Sequence, residues 1–159
     1  MNTDTVPKLF GLQGDAWMRH ANPASVWTRF AVLPALAFAV WSRTWLGWLC
    51  LVPIVVAVAW MVVNPRFFPP PRSTRNWASA GVLGERAWTE GDRATFPKEY
   101  ASSAVPGVAQ WLQVAGLALS TYGLVVFDPT ATVAGVVVAQ VAKLWYIDRV
   151  ALLYAAVKS

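Results

Sequence analysis

Four stretches of this chain, about 23–41, 44–63, 106–127 and 129–157, are nearly free of charged side chains, while the charges crowd between them. About 20 apolar residues wound as a helix cross a hydrocarbon core of about 30 Å. Inside such a core every backbone amide must find its partner within the chain, so the helix is the form each stretch takes. The pattern predicts an all-α membrane protein. It is a bundle of about four transmembrane helices arranged as two helical hairpins, with a short interfacial or loop helix between them. The apolar fraction of 57% exceeds the roughly 45–50% of soluble domains, and it is clustered where the spans require it.

Residues 1–22 read as a cytoplasmic amphipathic segment. Asp15 and Arg19 have the i,i+4 spacing of a helical ion pair, and Leu9, Phe10, Leu12, Trp17 and Met18 suit a helix resting among headgroups. These residues offer no apolar signal-peptide core, so span 1 is expected to act as its own insertion signal. Asn22-Pro23 reads as a cap and first helical residue. Pro34 and Pro53 are expected to kink spans 1 and 2, and Asn64-Pro65 to end span 2. The loop 64–105 carries a Pro69-Pro70-Pro71 spacer and a short helix over about 76–88. On one face of that helix lie Trp77, Gly81, Gly84 and Trp88, which predicts packing against the membrane or the bundle. Gly116 and Ser120 in span 3, and Ala31, Ala35 and Ala39 in span 1, form small-residue stripes that allow close helix approach. Ala131, Gly135 and Ala139 do the same in span 4.

The 13 Lys and Arg residues set an orientation. Three precede or open span 1, one lies in the first turn, six in the long loop, none in the second turn, and three in span 4 or the tail. By the positive-inside rule both termini and the loop 64–105 are cytoplasmic, which predicts a multi-pass inner-membrane protein. The same rule accounts for the net charge of +5. No nucleic-acid partner is expected, since the basic residues form no recognition motif or helix face. The expected partners are the lipid bilayer and other membrane subunits or further copies of the chain.

Candidate chemistry lies at the inner end. Lys143, Asp148 and Arg149 interrupt span 4. If the span ends near Ile147, only Lys143 must snorkel. If residues 150–157 are immersed as well, each charge costs about 2.5–3.5 kcal/mol unless paired. At 100° per residue the three side chains point in three directions. Arg29 of span 1, with His20 and Asn22 just before it, comes to the same side, as do Glu85 and Arg86 of the loop. These eight residues form the candidate polar cluster. Two readings stand for it: interfacial anchors and interhelical hydrogen bonds, or a cytoplasm-open pocket for a headgroup, anion or small substrate. The second reading requires His20 or Arg29 within about 4–6 Å of Asp148 in a cavity.

Other chemistries are poorly served. One histidine and one cysteine, Cys50, give no multi-histidine metal site and no internal disulfide. P-loop, dinucleotide, HExxH and CxxC motifs are absent, so no cofactor is expected. The nucleophile candidates Ser25, Ser42, Ser120 and Cys50 have no histidine nearby in sequence to activate them, which weakens a catalytic reading.

Several strings together are similar to those of a known family: Arg19-His20-Ala21-Asn22-Pro23, Val26-Trp27-Thr28-Arg29-Phe30, Asn64-Pro65-Arg66, Gly81-Val82-Leu83-Gly84-Glu85, and Lys143-Leu144-Trp145 with Asp148-Arg149. Over about residues 15–155 the chain resembles a family of small multi-helix membrane proteins of bacteria and archaea, a domain of unknown function. The resemblance implies a membrane fold and supplies no mechanism. The leading expectation is a binding, scaffolding or accessory subunit. The alternative is a membrane enzyme or transporter with a cytoplasm-facing polar site.

Overall fold

The computed structural model describes residues 15–91 and 96–158, with no strand among them. In chain order the helices are α1 (Asp15–His20), α2 (Pro23–Phe30), α3 (Val32–Trp41), α4 (Arg43–Leu46), a 3₁₀ turn (Gly47–Cys50), α5 (Leu51–Phe67), α6 (Trp77–Glu90), α7 (Lys98–Ala101), α8 (Val105–Val126) and α9 (Pro129–Lys158). Leu9, Phe10 and Leu12, and the side chain of Asp15, lie outside what is described, so the expected interfacial face is represented by Trp17 and Met18 alone.

Three helical stretches are long and apolar enough to cross a membrane by length and composition: Pro23–Phe67, Lys98–Val126 and Pro129–Val157. The first is not a single rod. Gly47 adopts φ 54°, ψ −131°, a conformation open to glycine for want of a Cβ, and the chain reverses there. Asn64, near the end of α5, consequently lies against Ser25 near the start of α2: their side chains meet at 2.5 Å. The reversal occupies residues 42–50, longer than the short Ser42-Arg43 turn expected from the sequence. Helix α5 also departs from expectation at its far end. It runs through Pro65 to Phe67 instead of stopping at Asn64-Pro65, though it survives only two residues past the proline. Pro53 falls in the first turn of α5, where a missing N–H leaves no intrahelical bond unmade, so it makes no kink.

Pro34 acts as expected, with an added consequence. Without an N–H, residue 34 leaves the Phe30 carbonyl unbonded, and the helix is interrupted at Ala31 between α2 and α3. That carbonyl accepts a hydrogen bond from Gln140 Nε2 of α9 at 2.6 Å. At the opposite end, Arg43 donates to the Leu124 carbonyl and its guanidinium lies 4.1 Å from the centroid of the Phe127 ring. The first hairpin is thus tied to the second at both ends.

Helices α8 and α9 form the second hairpin, joined through Phe127 in the left-handed region (φ 59°, ψ 38°) and Asp128. Asp128 caps α9 by accepting from the Thr130 and Ala131 amides at 2.8 and 3.1 Å. A Cβ on Gly116 would meet the backbone of Gly135 and Ala139, and one on Gly135 would meet that of Gly116 and Ser120. The sequence stripes are therefore where the two backbones touch.

Helix α6 starts at its Asn76 cap, which accepts from the Ser79 amide at 2.8 Å, and lies along the second half of α9. Gly81 faces Ile147, and a Cβ on Gly84 would fall on the Val150 carbonyl. Trp88, Phe96, Ala109, Tyr146, Ile147, Val150 and Leu153 form a buried cluster here. A second cluster joins Trp17 and Ala21 with Val26, Ala78 and Val82. Trp17, 4% exposed, is a core side chain holding α1 to α6, where an interfacial position was expected.

Candidate functional site

The polar cluster is assembled by α1, α2, α6 and α9. The Asn22 cap presents His20 to Arg29 by starting α2 where it does: Asn22 Oδ1 accepts from the Ala24 amide at 2.9 Å. Its Nδ2 donates to the Pro69 carbonyl at 2.9 Å, drawing in the chain that follows α5. Arg29, about two turns further along α2, folds back so that Nη2 donates to the His20 carbonyl at 2.8 Å and Nε to the Ser25 carbonyl at 3.1 Å. Its Nη1 donates to the His20 ring, which requires an unprotonated ring nitrogen as acceptor. Burial, then the charges of Arg29 and Lys143, push the His20 pKa down to about 3. The imidazole is a neutral acceptor, set edge-on to Trp17 with ring centroids 6.0 Å apart.

Lys143 reaches from α9 to α6, where its Nζ lies 3.0 Å from Glu85 Oε1 with both side chains about a quarter exposed. The ammonium also lies 5.0 Å from the Tyr146 ring centroid. Charge effects couple Lys143 to His20 and Glu85 to Arg29. His20 with Arg29 joins α1 to α2, Glu85 with Lys143 joins α6 to α9, and the two pairs lie within one another's electrostatic reach.

Arg86, Asp148 and Arg149 take other partners. Arg86 pairs with Glu90 at 3.0 Å within α6, and Glu90 also accepts from Trp17 Nε1 at 3.1 Å. Asp148 accepts from Trp77 Nε1 at 3.2 Å and pairs with Arg149 at 2.6 Å. Neither His20 nor Arg29 is among its hydrogen-bond or ion-pair partners, which are Trp77 and Arg149. The three directions expected for Lys143, Asp148 and Arg149 are realised: one faces Glu85, one Trp77, and one a shallow pocket described below.

Sequence reasoning missed four contributors. Trp17 and Trp77 act as indole donors, Glu90 receives one of them, and Ser79 donates from α6 to the Ala21 carbonyl at 2.6 Å. Buried Asn64 was legible as a cap-like residue but serves another purpose. Its amide lies within hydrogen-bonding distance of Ser25 Oγ (2.5 Å), Thr28 Oγ1 (2.8 Å) and Trp60 Nε1 (3.2 Å), binding the two arms of the first hairpin. Among the described residues no three His, Cys, Asp or Glu side chains are grouped to hold a metal ion.

The class defined so far is an all-helical protein with three apolar stretches of membrane-crossing length and a polar clamp at one end. The chain belongs to a family of unknown function (DUF6653), whose family model matches residues 2–159. No curated protein and no solved structure matches the chain.

Proposed function

We propose that this chain is a small multi-pass inner-membrane protein that acts by binding or scaffolding, as an accessory subunit of a larger membrane assembly or of its own oligomer. Four spans support the membrane reading. The reversal at residues 42–50 divides the first apolar stretch into two arms, α2 with α3 and α5. Helices α8 and α9 supply the other two. At about 1.5 Å per residue each arm reaches roughly 25 Å or more, the thickness of a hydrocarbon core to within a few Å. Arg29, Arg66, Arg86, Lys98, Lys143 and Arg149 lie toward the clamp end and Arg43 at the other, which supports a cytoplasmic clamp and cytoplasmic termini.

The observation that carries the scaffolding reading is the self-contained clamp. His20 hydrogen-bonds Arg29 and Glu85 pairs with Lys143, while Asp148 is taken up by Trp77 and Arg149. Such a group holds α1, α2, α6 and α9 in register. Meanwhile α5 buries one residue, Asn64, so its apolar circumference faces lipid or another subunit.

The test compares two sets of variants in a deletion strain with a measurable phenotype. Glu85→Gln and Lys143→Met should fail only in proportion to lost protein in the membrane. Val55→Trp and Val62→Trp, on the outside of α5, should keep normal amounts of folded protein and lose the phenotype. Clamp variants that accumulate normally yet abolish the phenotype would overturn scaffolding in favour of a membrane enzyme or transporter.

A further inference from the structure

A pocket of about 350 Å³ opens between α7, the first turn of α8 and the last third of α9. That volume lies at the lower end of the range for small-ligand sites, about 300–1,000 Å³. Its floor is apolar, made by Trp88, Val150 and Leu153, and its rim carries Glu99, Tyr100, Ser103 and Arg149. Arg149 is held from behind: Trp77 donates to Asp148, and Asp148 accepts from Arg149 Nη2. The other guanidinium N–H groups remain available. Ser103 Oγ accepts the Val105 amide at 3.3 Å, which leaves its own proton free to donate. Glu99 is exposed and, among the described residues, forms no ion pair.

We infer that this pocket binds the headgroup of a zwitterionic phospholipid bearing a primary ammonium, a phosphoethanolamine lipid. The donors of Arg149, Ser103 and Tyr100 receive the phosphate, and the Glu99 carboxylate receives the ammonium. A purely anionic headgroup would leave Glu99 facing like charge, and a simple cation would offer no acceptor to the Arg149 N–H groups that Asp148 does not take. A quaternary ammonium needs an aromatic cage, but the Trp88 face is already stacked on Phe96 at 6.3 Å and 17°. The lipid source follows from position. The pocket borders Val105 and Pro106, where the apolar run of α8 begins, and exposed Val108 and Trp111 continue along that helix for the acyl chains.

This inference rests on the membrane reading, whose own failure would be seen separately as release of the chain from membranes by alkaline carbonate. The test is thermal unfolding of the full chain in detergent with added dioleoyl lipids. Phosphatidylethanolamine should raise the midpoint more than phosphatidylcholine or phosphatidylglycerol. Arg149→Gln should abolish the rise, and Glu99→Gln should erase the preference over phosphatidylglycerol. Both side chains are on the surface, so the variants should match wild type in detergent alone. Equal shifts from all three lipids, a preference that survives both substitutions, or the same shift from soluble glycerophosphoethanolamine would overturn the proposal.

Discussion

Protonating His20 would place a buried cation in the field of Arg29 and Lys143. The folded pKa of about 3 lies below the ordinary 6.5, so on acidification the unfolded chain takes up this proton first. The stability from His20 is complete above pH about 6.5 and declines as pH falls toward 3. The unfolding midpoint should therefore drop between pH 7 and 5, before most carboxylates titrate, and His20→Gln should flatten that slope. The facing pair Glu85 and Lys143 makes a second residue-scale prediction. A double-mutant cycle with Glu85→Gln and Lys143→Met should give a coupling of about 1 kcal/mol, because each single change leaves a half-buried charge without its counterpart. The candidate residues were legible singly, as polar groups crowding the inner end of apolar runs. Their pairing was not, because Glu85 lies 58 residues from Lys143 and Trp77 lies 71 from Asp148. Only the placement of α6 brings them together.

At the scale of elements, α6 is where sequence and fold connect most directly. The Trp77, Gly81, Gly84 and Trp88 face was visible from helical spacing, and the two glycines, unfavourable for an isolated helix, are where α6 touches α9. Gly84→Ala should cost about 2–3 kcal/mol by overpacking, since its Cβ would meet the Val150 carbonyl. Gly107→Ala on α8 meets nothing within 4 Å and should stabilise by up to about 1 kcal/mol. Thermal unfolding of the two purified variants would check the opposite signs. The limits of α8 and α9 were legible to within a residue or so because Pro106 and Asp128-Pro129 mark helix starts. Span 2 was not, because the reversal depends on one glycine conformation within a continuously apolar stretch.

For the whole molecule, the proposed orientation predicts that a reporter fused at residue 85 is active only in its cytoplasmic form, and a periplasmic signal there would sink it. Hydropathy made the apolar regions legible, since they follow from length and composition, and three helical stretches of crossing length are found there. What hydropathy could not reveal is that the second half of α9 is core as well as helix. Tyr146, Ile147, Val150 and Leu153 are each buried beneath α6 and its neighbours. An apolar residue under a protein cap and one facing lipid have the same letter in the sequence.

Helix α9 is one unbroken rod of 30 residues, about 45 Å long, followed by α8 from Gly135 to Val150 and joined by α6 over its second half. A rod so held moves as one piece. Tilted by about 10°, its two ends shift relative to one another by about 8 Å. A neighbour leaning on the Pro129 end would then displace the face that α6 presents at the other.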